Sequence, residues 1–302
     1  MYDTIIVGGG PAGLTAGIYS ARYLIKTLVL SENTGGQILE TTSIENYPGF
    51  NSIGGMDLAN KFKEQYLHNK GELIEEKVEE IKQDTHFIIK TNKNEYKSKS
   101  VILTIGSKRR KLNVKGEKDF LNKGVGYCAT CDAALYRDLK VAVVGSGNAS
   151  AEAALLLAQY ATDVTILIRK EKMKCEPILL KQIEDNKKIT IKNKVNITEI
   201  KGDNMVNAVD LDNGEELKLD GVFIEIGFIP DTTLAEQLNL ELDGKKYIKV
   251  NAKQATNVKG VFAAGDITDN SDYFAQITTA QGEATVAAQS AFHYIKSMES
   301  EN

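Results

Sequence analysis

The chain has 302 residues, 42% of them apolar and 26% charged, which is enough for two packed domains and unlike a disordered or fibrous protein. Its 37 basic and 41 acidic residues leave a formal charge of −4, which argues against a nucleic-acid or anionic-membrane binder. No apolar run reaches the roughly 18 residues of a membrane helix, and the start Met1-Tyr2-Asp3-Thr4 enters a strand pattern without a basic leader, so the expected location is the cytoplasm.

Taken in chain order, the pattern opens with an apolar strand at Thr4-Ile5-Ile6-Val7, then Gly8-Gly9-Gly10-Pro11-Ala12-Gly13, a helix over 14–23 and a strand over 27–30. The first glycine lets the chain turn from strand into helix. The second admits a pyrophosphate against the backbone, and the third lets helix pack on strand, so the helix N-terminus faces the anion. Gly8, Gly10 and Gly13 are all present, in the form typical of the adenine-dinucleotide half of a flavin domain. The acid expected about 20 residues on for a ribose hydroxyl falls at Ser31-Glu32, with Glu32 one place late. Turn-rich stretches of the kind that line ligands follow at Gly35-Gly36-Gln37 and Asn46-Tyr47-Pro48-Gly49, then charged helices and hairpins over 57–99. Val101 to Ile105 reads as a buried strand ending at Gly106.

Cys128 and Cys131 form a C-x-x-C. Structural zinc would need two more ligands, and only Cys175, His68, His86 and His293 remain, scattered, so a redox dithiol is the better reading. Asp132 directly follows. It is either a helix-terminal carboxylate or a proton donor to a thiolate leaving group.

A second strand-turn-helix-strand unit then repeats the first: Val141 to Val144, Gly145-Ser146-Gly147-Asn148-Ala149-Ser150, a helix over 152–160 and a strand over 164–168. From first glycine to the end of the second strand the copies run 8 to 30 and 145 to 168. One such motif is weak evidence; two at matched spacing argue for two dinucleotide-binding units. Ser150 replaces the third glycine, which predicts a bulkier second site. The strand Val222 to Ile226 ends at Gly227, and Val261 to Ala264 leads into Gly265-Asp266 and a helix over 275–295. Asp266 could cap that helix, but at a strand end beside a glycine motif it is better placed for a flavin ribityl hydroxyl. The expected fold is α/β: two Rossmann-like three-layer domains, the second inserted into the first.

These motifs together resemble the low-molecular-weight thioredoxin reductases. The matches are Gly8 to Gly13, Gly35-Gly36-Gln37, Glu45 to Gly49, Cys128-Ala129-Thr130-Cys131-Asp132, Gly145 to Asn148, Gly227 with Pro230, and Val261 to Asp266. They span nearly the whole chain in the family's order. The resemblance implies an FAD domain over 1–113 and 243–302, a central NADPH-type domain over 114–242 carrying the dithiol, a homodimer and a large domain rotation. It implies that Cys131 faces the flavin, that Cys128 attacks thioredoxin and that Asp132 manages the proton. Around the flavin it places Gly8, Gly10, Pro11, Ala12, Gly13, Ser31, Glu32, Gly36, Gln37, Asn46, Val78, Gly106, Gly265, Asp266, Ala275 and Gln276. The nucleotide positions are Gly145, Gly147, Asn148, Arg169, Lys170 and Lys174.

Departures from the family pattern concern the donor. NADPH-using members carry an arginine-rich H-R-R-x-x-x-R box for the 2′-phosphate. Here it reads Ile168-Arg169-Lys170-Glu171-Lys172-Met173-Lys174, and lysine lacks arginine's planar fork. Only five of the 37 basic residues are arginine, so lysine usage is a competing explanation. The flavin-side Arg-Gln pair is Ala275-Gln276, and Ala133 replaces a glycine. These losses resemble a branch that does without pyridine nucleotide and takes electrons from reduced ferredoxin. An NADPH-linked reductase and a flavin-dependent dithiol oxidase or small-disulfide reductase are the alternatives. No metal, membrane or nucleic acid enters the reading.

Overall fold

The computed structural model describes residues 1–41 and 44–300, with only the backbone of Glu40. Its α-helices are α1 (Pro11–Arg22), α2 (Gly55–His68), α3 (Ala129–Asp132), α4 (Asn148–Leu157), α5 (Pro177–Asp185), α6 (Thr233–Gln237) and α7 (Ile277–Ser300). Two compact units result, one from 1–108 with 229–302 and one from 109–228.

In the first unit, Tyr2–Val7 is a central strand with Thr27–Ser31 parallel on one side and Glu95–Leu103 parallel on the other. Val261–Ala263 also joins Glu95–Leu103 in parallel, and an antiparallel pair, Phe87–Thr91 and Val78–Gln83, extends the sheet. The side-chain period of two sorts the central strands between two cores. Ile6, Val29 and Ile102 face α1, α2 and α7 through Leu14, Ile18, Phe62, Tyr66 and Ala287. Ile5, Val7, Leu28, Leu30 and Leu103 face Ile81, Phe87, Leu234 and Leu238. Alanine at 284, 287, 288 and 291 keeps the buried face of α7 shallow, so the long helix lies close to its neighbours.

The second unit has a parallel sheet in the order Ile189–Asn193, Asp163–Ile168, Lys140–Val144, Gly221–Ile224, Val125–Gly126. One face carries α4 and α5, with Ala151, Ala154, Leu157 and Ile183 packed on Val141, Val143, Val164 and Ile166. The other carries the antiparallel strands Ile197–Gly202, Val206–Leu211 and Glu216–Lys218, with Ile200, Val209 and Leu211 packed on Ala142, Val144 and Ile224. The α/β fold expected from the sequence is therefore present, with three layers in the second unit as well as the first.

The unit boundaries differ from those expected at 113/114 and 242/243; the chain crosses at 108/109 and 228/229. Leu234, Ala235, Leu238 and Leu240, on and after α6, bury themselves in the first unit's core, which draws that segment out of the second. The helices over 14–23 and 152–160 also begin earlier than expected, at Pro11 and Asn148, because each starts directly on its glycine turn.

Candidate active site

Strand register gathers the first unit's candidate residues at one sheet edge. Val7 pairs with Leu30 and Leu103, and Leu103 with Ala263, so Gly8, Ser31, Thr104 and Gly265 all emerge at the carboxyl ends of parallel strands. That edge is where open α/β sheets bind ligands. Gly8 turns there with φ +111°, and a Cβ would stand 2.3 Å from the Thr104 carbonyl oxygen. A Cβ on Gly13 would lie only 1.8 Å from the Gly8 carbonyl oxygen. At Gly10, by contrast, the nearest atoms lie 3.9 Å away, in Gly35 and Gly36, so this face of the turn is open. The Thr104 hydroxyl donates to the carbonyl oxygens of Val7 and Gly8 at 3.0 Å and holds the turn in place.

Segments far apart in sequence ring this turn. The Gly35 amide donates to the Gly9 carbonyl oxygen at 2.8 Å and brings Gly36 against Gly10. Gln37 donates from Nε2 to Ser107, beside Gly106. Asn46 donates to the Gln276 side chain at 3.0 Å, across 230 residues. Gly265 sits against Ala12 and Ala280. Asp266 is half-buried next to it, and burial first, then the Glu283 charge, push its carboxyl up to about 6. Ser31 is buried at its strand end, with its side chain against Gly9, whereas Glu32 points outward and pairs with Lys77 at 3.7 Å. Val78 begins its strand half-buried. Ala275 is exposed just ahead of α7.

In the second unit, Val144 pairs with Leu167 and Ile224, and Phe223 with Gly126. Gly145, Arg169 and Cys128 therefore leave the sheet at the same carboxyl edge, one strand separating the glycine turn from the dithiol. Cys128 and Cys131 form a disulfide with Cα atoms 5.3 Å apart. Cys128 is half-buried and caps α3, its Sγ accepting the Cys131 amide at 3.2 Å, while Cys131 is exposed. Once the pair is reduced, that amide would favour the thiolate on Cys128. Asp132 is half-buried, with Oδ2 facing Gly126. Tyr127 donates to the buried Glu117 carboxylate, which also accepts the amides of Leu112 and Asn113 and anchors the strand leading into the dithiol. Cys175 is a free thiol that burial pushes up, away from its reactive thiolate form. Among the described residues, no group of three or more His, Cys, Asp or Glu side chains could hold a metal ion.

Ser150 fills the second turn differently from the expectation of a bulkier phosphate site. Its side chain is fully buried, its Cβ packs near Gly145 and its hydroxyl donates back to the Gly147 carbonyl oxygen at 2.7 Å. The added bulk thus lies between helix and strand. Nothing stands within 4 Å of a Cβ placed on Gly147. The segment after Arg169 does cross this turn. The Lys174 amide donates to the Ser146 carbonyl oxygen at 2.6 Å. Asn148 and Glu176 bond reciprocally, side-chain amide to carboxylate at 2.9 Å and Glu176 amide to Asn148 Oδ1 at 2.8 Å. Glu171 pairs with Lys194 at 2.9 Å, and Arg169, Lys170 and Lys174 are exposed.

Two nucleotide-type turns with a disulfide at the carboxyl edge of the second sheet define a disulfide-handling flavoprotein of two Rossmann-like units. The family profile for pyridine nucleotide-disulphide oxidoreductases matches residues 2–284, and the chain belongs to that family, among the low-molecular-weight thioredoxin reductases. It is 38% identical to a thioredoxin reductase of Bacillus subtilis over 99% of this chain and 96% of that one. The thioredoxin reductase structure from Lactococcus lactis superposes with a TM-score of 0.94 at 35% identity, covering 98% of this chain and 100% of the other. A ferredoxin-flavin thioredoxin reductase from Clostridium acetobutylicum has 34% identity and a TM-score of 0.54, with 98% of each chain covered. FAD is the family's cofactor and this chain's. The open face at Gly10, the ring from Gly36 to Gln276 and the half-buried Asp266 carboxylate suit its pyrophosphate and ribityl chain. No helix among the described residues is long and apolar enough to cross a membrane.

Proposed function

We propose that this chain takes electrons from reduced ferredoxin and delivers them, by way of FAD and the Cys128–Cys131 disulfide, to thioredoxin in the cytoplasm. FAD, when bound, joins a one-electron donor to a two-electron disulfide. It is held by Gly8, Gly10, Gly13, Gly36, Gln37, Gly106 and Asp266. Two electrons and one proton, delivered together from the reduced flavin side, break the S–S bond and leave Cys128 and Cys131 as one thiol and one thiolate. Cys128, favoured as thiolate by the Cys131 amide, attacks one sulfur of the thioredoxin disulfide and forms a mixed disulfide. Cys131 then displaces thioredoxin, restoring the intramolecular bond and releasing the partner as a dithiol. Asp132, next in the chain, carries the proton to the leaving thiolate. The working form in this reading is a homodimer, which sedimentation velocity tests.

The observation that carries the donor assignment is the bridge over the second glycine turn. With Glu176 bonded to Asn148 at the start of α4, a carboxylate lies near where a pyrophosphate would need to settle. Lysines stand at 170 and 174, where the NADPH-linked pattern has arginines. One observation favours NADPH instead: the space at Gly147 is open, so the backbone turn itself can accept a phosphate. Anaerobic stopped-flow reduction separates the two. Reduced ferredoxin is expected to bleach the flavin quickly and NADPH slowly; fast bleaching by micromolar NADPH overturns the assignment. Turnover with low-molecular-weight disulfides or oxygen but not thioredoxin would replace the partner.

A further inference from the structure

Glu283 lies on α7, outside every motif the sequence displays, yet it is a buried carboxylate whose three bonds all go to one loop. Its Oε2 accepts the Gly265 amide at 2.7 Å and the Thr268 hydroxyl at 3.0 Å, and its Oε1 accepts the Ser271 hydroxyl at 2.7 Å. A buried carboxylate is costly unless its lone pairs are met. Here they are met by the loop that carries Asp266. A hydrophobic side chain could pack α7 on that loop just as well, but it would leave the Gly265 amide unpaired and the turn free to shift.

We propose that Glu283 is the positioning residue of the flavin site, fixing the Gly265–Asp266 turn against the start of α1. This deepens the FAD reading and rests on Asp266 meeting the flavin's ribityl hydroxyls. Gly265 has φ +81° and little room, since a Cβ would stand 3.1 Å from that of Ala12 and 3.4 Å from that of Ala280. The turn is thus wedged between α1 and α7, and the Glu283 carboxylate is its polar anchor. The same carboxylate acts on Asp266 through space, as the second contribution after burial to its raised carboxyl. The other elements packed here add no charge: the first turn of α1 is Pro11-Ala12-Gly13-Leu14, and the strand Val261–Ala263 is apolar. Within the loop, Asp269 is turned to the Val250 amide.

The test compares FAD dissociation constants of the wild type, Glu283→Gln, Glu283→Ala, Thr268→Val and Asp266→Asn, from pH 5 to 8, by recovery of free-flavin fluorescence. Glutamine can accept from Gly265 and Thr268 and donate to Ser271, so it keeps the anchor and removes the charge. Glu283→Ala is expected to weaken FAD about tenfold or more, from the lost charge-assisted bonds, and Glu283→Gln by less than about threefold at pH 8. An ionised Asp266 is the better acceptor for a hydroxyl, so wild-type affinity falls as pH drops through about 6. Without the Glu283 charge, that fall moves to lower pH in Glu283→Gln. Wild-type affinity in a folded Glu283→Ala overturns the proposal. If Glu283→Ala does not fold, Thr268→Val with unchanged affinity together with an unmoved acid limb in Glu283→Gln does so. Wild-type affinity in Asp266→Asn would instead remove the ribityl assignment on which the proposal stands.

Discussion

The two glycine turns are nearly the same backbone device with different surroundings, and the surroundings decide what each can hold. Gly8 to Gly13 and Gly145 to Ser150 both leave a central parallel strand, both start a helix, and both keep the middle glycine open to solvent. Around the first, the chain gathers Gly36, Gln37, Asn46, Gly106, Gly265 and Gln276 and a half-buried Asp266. Around the second, it lays the 173–176 segment across the turn and ties Asn148 to Glu176. A dinucleotide motif therefore supplies an anion-binding helix start. Residues from elsewhere in the chain determine whether a cofactor stays.

The sharpest way to test the asymmetry begins with what only the second unit possesses, its dithiol. Cys128→Ser and Cys131→Ser are each expected to reduce thioredoxin turnover by about a thousandfold or more, since exchange needs one thiolate to attack and another to resolve. Flavin absorbance per chain should be unchanged. Cys131→Ser should trap a mixed disulfide with thioredoxin, visible on a non-reducing gel, and Cys128→Ser should not; the opposite pattern would reverse the two roles. Cys175→Ser should turn over within about twofold of wild type, because its thiol takes no part in the disulfide and burial pushes it away from ionisation.

Matched substitutions at the two middle glycines come next. Gly10→Val puts a branched side chain where the pyrophosphate needs backbone, and FAD affinity should fall about tenfold to hundredfold, by the 1–3 kcal/mol typical of overpacking. At Gly147 an added Cβ has no protein atom within 4 Å. With ferredoxin as donor, Gly147→Val should change turnover by less than about twofold. A loss at position 147 comparable to that at position 10 would show that both turns carry a nucleotide and that the comparison fails.

The carboxylate at the first site also predicts a pH effect on stability. Asp266 has its carboxyl raised from 3.8 to about 6 in the folded chain, so the fold binds this proton more tightly than the unfolded chain does. The stability this contributes is complete below the ordinary carboxylate pKa and is lost as pH rises through about 6. For the FAD-free protein the swing is about 2–3 kcal/mol, from about 1.4 kcal/mol per pKa unit. Thermal melts of FAD-free wild type and Asp266→Asn at pH 5 and 7.5 capture its upper part, about half of the total. The wild type should lose stability between those values by more than Asp266→Asn does.

How much of this could be read from the sequence follows from the range of the interactions involved. The glycine turns, flanking strands and dithiol are local patterns, and each lies where its spacing put it. Glu32 stood one place late for a simple reason: the strand ends with Ser31 buried, so Glu32 turns outward to Lys77. The 230-residue pairing of Asn46 with Gln276 depends on the assembled tertiary fold, which no window of sequence contains. Glu283 was invisible because an acid amid the alanines of a helix looks like a solvated residue, and only the return of the 265–271 loop buries it. The second domain boundary moved because Leu234 and Leu238 are amphipathic in the ordinary way, and their pattern does not say which sheet they will cover.

The smallest expected effect tests the bridge over the second turn directly. Glu176→Ala removes both the side-chain bond to Asn148 and a negative charge from the start of α4. The pair is exposed, so its worth is that of a surface interaction, about 0.5–1 kcal/mol. NADPH affinity, measured by isothermal titration on the FAD-loaded protein, should therefore rise about twofold to fivefold in the variant. Salt should narrow the gap, because ions screen an exposed carboxylate from an incoming phosphate. Glu176→Gln should fall between wild type and alanine, since it keeps a partner for Asn148 but no charge. Equal affinities in all three would mean that the bridge is incidental and that any weakness for NADPH lies with the lysines at 170 and 174. In that case Lys170→Arg should strengthen NADPH binding where Glu176→Ala does not, because the guanidinium fork restores the bidentate contact that a lysine cannot make.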